Sequence, residues 1–223
     1  MIRLLLQDVE SLNNSETYFS LYENASLERR RIAEKFRFSK DRNLGIGATA
    51  LIDIGLRSFG LREKDMIYSY GVNGKPFFKN APDIHFSIAH SSTKVAVAFS
   101  DKEVGCDIEK ITTFDMDVAK SFFSDREYLR IMSIPAPEDR NVEFFRYWTL
   151  KESYMKAIGQ GLSLPSKSFT ISRLETGYVC LDDNEPDAGE KFIFHTIEDI
   201  DGYECSLCYQ KLCGRPEVIV ARF

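Results

Sequence analysis

Apolar and polar positions along the chain sort into a short strand, a helical stretch and a set of strands, and then repeat that order. Residues 2–9 (Ile2-Arg3-Leu4-Leu5-Leu6-Gln7-Asp8-Val9) form a brief apolar run, which predicts a first strand. Ser26 stands where an N-cap would open a short basic helix, and Ser39 where one would open a longer helix. In the longer one, Leu44, Ala48, Leu51, Ile52, Gly55 and Phe59 recur at helical spacing and form one apolar face. The segment Gly71-Val72-Asn73-Gly74-Lys75-Pro76 predicts a turn, because Asn-Gly favours positive φ and proline fixes the exit. Strand patterns follow at 84–89, 95–99 and 104–108, and their short polar links suggest an antiparallel meander. Helical patterns cover 116–132 and 142–158, separated by a loop holding Pro135 and Pro137. Strand patterns return at 169–172, 178–181, 192–196, 203–209 and 218–223.

Helices followed by strands, twice over, predict an α+β fold of two halves, 1–101 and 102–223. No apolar run approaches the roughly 18 residues that span a bilayer, and residues 1–6 lack a signal-peptide core, so a cytoplasmic protein without a membrane partner is expected. The formal net charge of -5 argues against a nucleic-acid partner, and any anionic ligand must be met by a local basic cluster. Five cysteines are scattered late in the chain: Cys106, Cys180, Cys205, Cys208 and Cys213. An offset of three along a strand places Cys205 and Cys208 on opposite faces, which favours reduced structural thiols over a metal pair. Neither GxGxxG nor GxxxxGK[ST] occurs, which removes most support for dinucleotide or ATP chemistry.

Candidate chemistry concentrates in two places. In Gly105-Cys106-Asp107-Ile108-Glu109, strand alternation puts Asp107 and Glu109 on one face and Cys106 and Ile108 on the other. Two carboxylates so placed repel unless solvent or a cation lies between them, and hard oxygen ligands suit Mg²⁺; a solvated strand face is the plain alternative. On a helix, Trp148, Glu152 and Lys156 stack at intervals of four. An exposed ion pair and a cleft edge carrying a third carboxylate fit that spacing equally. His90 ends a strand before a Ser-Ser-Thr loop, a position as consistent with a structural histidine as with a functional one. Arg29-Arg30-Arg31 lies near a helix start, where cations are mildly unfavourable unless an anion binds there.

In order along the chain, these pieces resemble the surfactin-synthetase type of 4'-phosphopantetheinyl transferase. The motifs are Gly74-Lys75-Pro76, Phe86-Ser87-Ile88-Ala89-His90-Ser91, Gly105-Cys106-Asp107-Ile108-Glu109, Phe122-Phe123-Ser124-Asp125-Arg126-Glu127, Trp148-Thr149-Leu150-Lys151-Glu152-Ser153-Tyr154-Met155-Lys156, and Gly159-Gln160-Gly161-Leu162-Ser163-Leu164-Pro165. The resemblance implies two similar halves about a pseudo-twofold axis, with coenzyme A between them, acting as a monomer on an apo acyl or peptidyl carrier protein. It implies Asp107, Glu109 and Glu152 as Mg²⁺ ligands, and Arg29, Lys75, His90, Lys151 and Lys156 as the coenzyme-binding set. It also implies Glu152, Lys156 and Glu127 as the groups of the transfer step, with Glu152 or Glu127 receiving the serine proton. The carrier would dock on residues 110–123, where Ile111, Phe114, Met116, Val118, Phe122 and Phe123 add apolar surface.

Two positions depart from the family pattern. Ala89 stands where a Ser or Thr is common, and Ile32 replaces a second basic residue, which leaves Arg30, Arg31, Lys35 or Arg42 to complete a 3'-phosphate pocket. A Mg²⁺-dependent nuclease or phosphohydrolase is the rival enzyme class. The lysine after Glu109 is one position out for an Asp/Glu-x-Lys strand, and the net charge also disfavours nucleic acid. A non-catalytic coenzyme A-binding module would need no cluster of three carboxylates.

Overall fold

The computed structural model describes residues 1–175, 177–182, 186–211 and 215–221. In chain order the elements begin with β1 (Ile2–Asp8), α1 (Ser15–Asn24), α2 (Leu27–Glu34) and α3 (Ser39–Arg57). Strands β2 (Tyr68–Tyr70), β3 (Pro76–Phe78), β4 (His85–Ser91), β5 (Lys94–Ser100) and β6 (Val104–Lys110) follow. Then come α4 (Met116–Phe122), α5 (Asp125–Met132) and α6 (Pro137–Ala157). The chain continues through β7 (Phe169–Leu174), β8 (Gly177–Asp182), α7 (Ala188–Lys191), β9 (Phe192–Ile197), β10 (Tyr203–Gln210) and β11 (Pro216–Val220).

Two sheets form the centre. One has the order β11-β1-β5-β4, and the other β6-β10-β9. Strand alternation then builds the layers. Leu5, Val97 and Phe99 pack with Leu51, Ile52 and Leu56 of α3 on one side of the first sheet. Ile2, Leu4, Leu6, Ala96 and Ala98 point the other way, into a shared core with Cys106, Ile108, Cys205 and Leu207 of the second sheet. Beyond it, Cys208 and Phe194 face Leu150, Tyr154 and Met155 of α6. The layers therefore run helix, sheet, sheet, helix. Cys205 and Cys208 do lie on opposite faces, and the four described cysteines are free and buried; Cys213 lies outside the described residues.

Three sequence expectations change. The third strand does not extend the β4–β5 pair: β6 pairs with β10 and only lies alongside β4. Serine hydroxyls bridge that seam, with Cys106 N donating to Ser87 Oγ at 3.1 Å and Lys110 N to Ser91 Oγ at 3.1 Å. The predicted helix 116–132 is two helices, because Ser124 caps α5 and Glu127 returns the capping bond. The last strand, β11, crosses back to lie parallel to β1, so the second half lends a strand to the first half's sheet. Smaller boundary shifts also occur: Phe38 rather than Ser39 is the N-cap of α3, and Pro137 opens α6. Among the described residues, no helix is long and apolar enough to cross a membrane.

Candidate active site

Gly105 decides how the site is assembled. A Cβ at this position would lie 2.0 Å from Ser153 O and 2.4 Å from Ala157 N, both backbone atoms of α6. Only glycine lets β6 and α6 approach so closely. That contact sets Asp107, two residues on along β6, against Lys156 on the last turn of α6. Lys156 Nζ donates to Asp107 Oδ1 at 2.6 Å, and Asp107 itself is buried. Asp107 and Glu109 share the α6-facing side of their strand, so the spacing argument holds but the solvated face does not. The alternative of an exposed Glu152–Lys156 ion pair also falls, since Lys156 turns to Asp107.

The remaining groups gather around this pair. Ser91 Oγ donates to Glu109 Oε2 at 2.7 Å, which fixes one of that carboxylate's oxygens. Glu152 lies half-buried one turn before Lys156, and burial together with the charges of Asp107 and Glu109 holds its carboxyl above the usual range. Burial pushes Glu109 the same way, with Asp107 adding to it. Asp107 is raised chiefly by burial, against the pull of Lys156. Burial disfavours the Lys156 ammonium, but Asp107 and Glu152 outweigh it and keep Lys156 charged. Packing against the protein and the charge of Lys156 both hold His90 in its neutral form.

Three carboxylates share one ammonium here, a formal excess of two negative charges when all are ionised, and their raised pKa values reflect that crowding. Among the described residues, Asp107 Oδ2 is buried without a hydrogen-bond partner. Leaving such an atom unpaired is costly, so the site has a place for a positive ligand, and a divalent cation matches the charge. Among the described residues, no group of three or more His, Cys, Asp or Glu side chains is arranged so that it could hold a metal ion. Lys156 engages Asp107 Oδ1 and Ser91 engages Glu109 Oε2, so two of the carboxylate oxygens already have a partner here.

Beside the carboxylates lies a cavity of about 220 Å³, lined by Gly74, Lys75, Pro76, Ser87, Ile88 and Lys156 among others. A larger cavity of about 590 Å³, lined by Arg146, Arg173, Tyr178, Asp199, Tyr203 and Glu204 among others, includes none of these site residues. The Lys75 ammonium is not turned toward an open ligand. It donates to Val104 O and Ala157 O, each at 2.9 Å, and burial brings its pKa down to about 8. Arg29 is likewise engaged, through Nε to Thr49 Oγ1 at 2.9 Å and Nη2 to Gly45 O at 3.4 Å.

Two expected site residues are elsewhere. Lys151 and Glu127 are both fully buried and face each other in the core of the second half. Lys151 Nζ donates to Glu127 Oε1 and Oε2 at 2.9 Å and to Phe169 O at 2.8 Å, with the Phe169 ring 3.9 Å away. Glu127 also accepts from Ser124 N at 2.8 Å and Ile171 N at 2.7 Å. The structure therefore does not bring Lys151 and Glu127 together with Asp107, Glu109, Glu152 and Lys156. Helical geometry explains it: one residue is 100° of rotation, which turns Lys151 into the core while Glu152 points toward Asp107, Glu109 and Lys156.

Comparison with known proteins gives the family. The 4'-phosphopantetheinyl transferase superfamily matches over residues 103–208, the span from β6 to β10. The 4'-phosphopantetheinyl transferase psf-1 of Bacillus pumilus is 33% identical over 207 residues, covering 92% of this chain and 88% of its own. The chain belongs to the 4'-phosphopantetheinyl transferase superfamily. Within the superfamily it is 32% identical to the gsp transferase of Aneurinibacillus migulanus, over 93% of this chain and 86% of that one. It is also 32% identical to the Sfp transferase of Bacillus subtilis, over 82% and 81%. Among solved structures, the Thermotoga maritima holo-[acyl-carrier-protein] synthase gives a TM-score of 0.41 at 16% identity, covering 48% of this chain and 62% of that one. Membership in the superfamily rests on the sequence relatives alone.

Sequence reasoning missed two contributors to the transferase site. Ser91 was legible only as a loop residue, although its offset of four from Ser87 puts both hydroxyls at the β4–β6 seam. Gly105 stood in the motif without a role, because a glycine's use is visible only when the neighbouring backbone is in place.

Proposed function

We propose that this chain transfers the phosphopantetheine arm of coenzyme A to a serine of an apo acyl or peptidyl carrier protein, releasing 3',5'-ADP. The observation that carries the reading is the packing of β6 on α6, which joins the Asp107–Lys156 pair to Glu109 and Glu152 beside a cavity. Asp107, Glu109 and Glu152 would hold Mg²⁺, and the unpartnered Asp107 Oδ2 supports that assignment. When bound, the ion neutralises charge on the pyrophosphate and acts as a Lewis acid.

The chain's own residues do the rest. Lys156, held protonated, stabilises charge on the phosphate oxygens, and neutral His90 donates a hydrogen bond to them. Glu152 receives the proton of the attacking serine on a carboxylate oxygen that is not committed to the ion. A serine oxygen–phosphorus bond forms at the β-phosphorus, the pyrophosphate bond breaks, and its electron pair leaves on the 5'-phosphate of 3',5'-ADP. Phosphoryl transfer of this kind depends mainly on positioning, which a rigid helix-on-strand contact supplies.

In this reading coenzyme A lies between two halves, 1–101 and 102–223, whose similarity about a pseudo-twofold axis is supported by one long helix on each sheet. Since both walls of that cleft come from one chain, the proposed enzyme works as a monomer. Its coenzyme, its carrier and its free cysteines fit the cytoplasm. Carrier docking falls on residues 110–123, where Met116 and Val118 are 44% and 41% exposed. Mass spectrometry of an apo carrier incubated with the protein, coenzyme A and Mg²⁺ tests the reading: an added phosphopantetheine supports it, and an unmodified carrier opposes it.

A further inference from the structure

We propose that Lys75, from the turn between β2 and β3, is a positioning residue that fastens β6 to α6 and so sets the distance between the carboxylates and Lys156. The proposal rests on the transferase reading above. Its two acceptors, Val104 O and Ala157 O, each 2.9 Å from Nζ, belong to different elements. Val104 opens β6, three residues before Asp107, and Ala157 closes α6, directly after Lys156. They meet at the point where Gly105 brings the two backbones together. One ammonium thus pins both elements that carry the four charged site residues.

The placement has a physical basis. The last carbonyls of a helix lack intrahelical partners and collect negative potential, so a buried ammonium there is favourable. Two further contacts hold the turn over the helix end. Asn73 Nδ2 donates to Gly159 O at 3.2 Å, and a Cβ at Gly159 would sit 3.4 Å from Lys75 Cδ, so the lysine stem lies against that glycine. On the turn's own side, Gly71 N donates to Lys75 O at 2.9 Å, and Gly74 adopts a φ of 83°, as the Asn-Gly pair predicted. With two of its three donors taken by backbone, Lys75 has little left for coenzyme phosphates. Freed from this clasp, the end of α6 can shift relative to β6, and a displacement of about 1 Å in reacting groups costs on the order of 100-fold in rate.

The test is a split between rate and affinity. Steady-state transfer and calorimetric binding of 3',5'-ADP are measured for the wild type, Lys75→Met and Lys75→Arg. Lys75→Met is expected to lower kcat by about 10- to 100-fold while KM for coenzyme A and the 3',5'-ADP affinity change less than about threefold. Lys75→Arg, which keeps a cation and its donors, recovers most of kcat. A KM and 3',5'-ADP dissociation constant raised about tenfold at constant kcat would show a ligand contact and overturn the proposal, as would no change in any constant. If Lys75→Met does not fold, Asn73→Ala removes only the second contact and is expected to lower kcat about threefold with affinity kept; the reverse pattern overturns the proposal. Amide hydrogen exchange separates this idea from the activity itself. Even in a protein that transferred nothing, Lys75→Met must speed exchange of the Ile158 amide, which donates to Tyr154 O at 3.0 Å, and unchanged exchange there overturns the fastening.

Discussion

Lys151→Met removes an ammonium from the core of the second half and leaves the Glu127 carboxylate facing apolar surroundings. Two backbone N–H groups, of Ser124 and Ile171, still reach that carboxylate, but its cation is gone. Breaking a buried pair by deleting one partner costs about 3–5 kcal/mol. For a protein of 223 residues that corresponds to a fall in Tm of about 6–20 °C. Urea denaturation, followed by the fluorescence of Trp148, is expected to show a lower midpoint at an unchanged slope. Glu127→Gln in the Lys151→Met background removes the uncompensated charge and keeps an acceptor for Ser124 N while losing the one for Ile171 N, and is expected to recover about 1–2 kcal/mol. Well below its Tm the single variant should keep kcat and KM within a few-fold of the wild type, because neither group reaches the cleft. A midpoint shifted by less than about 0.5 kcal/mol, with kcat/KM down on the order of 100-fold, would refute this reasoning and return Lys151 to the coenzyme site.

Gly105→Ala drives a methyl against the Ser153 carbonyl, so thermal unfolding should show a loss of about 2–4 kcal/mol and transfer activity should disappear with it; a stable, active variant would remove the glycine from the argument. Burial raises the Asp53 carboxyl, but bonds from Arg62, the Glu63 N–H and Arg57 outweigh it and hold its pKa below the usual aspartate range. Because the folded pKa is depressed, that stability is present above the unfolded pKa and is lost as pH falls through the folded one. Asp53→Asn should therefore cost about 1–2 kcal/mol near neutral pH and progressively less below about pH 4, whereas an equal cost at both would contradict the ion-pair account. Met116→Ala should raise KM for the carrier several-fold and leave KM for coenzyme A unchanged, and equal effects on both would move carrier docking elsewhere. Phe114 is a poorer probe, since it stacks on Phe144 with centroids 4.3 Å apart and its truncation would also loosen the core.

Much of the fold was legible because its periodicities are strong. The apolar face of α3 and the alternation of β1, β4, β5 and β10 follow directly from side-chain direction, and the same rule correctly separated Cys205 from Cys208. Partners of strands were less legible, since hydrogen-bond pairing is non-local: β6 left the expected meander for β10, and β11 returned to β1. The break between α4 and α5 was readable from Ser124-Asp125-Arg126-Glu127, a capping-box pattern, but apolar residues on both sides hid it inside one helical run. That same pattern explains Glu127, whose carboxylate serves a helix start and a buried lysine. At the site, spacing grouped Asp107 with Glu109 and Glu152 with Lys156. It could not show which carboxylate Lys156 would choose, nor that Lys75 and Arg29 spend their donors on backbone and Thr49.

One comparison bears most directly on the clustered carboxylates. Wild-type protein and Asp107→Ala are each incubated with an apo carrier, coenzyme A and Mg²⁺, and the carrier is weighed by mass spectrometry. The wild type is expected to add one phosphopantetheine to the carrier, while Asp107→Ala still binds 3',5'-ADP but leaves the carrier unmodified. A carrier modified equally well by the Asp107→Ala protein, or left untouched by the folded wild type, would contradict the assignment of the reaction to this strand-and-helix cluster.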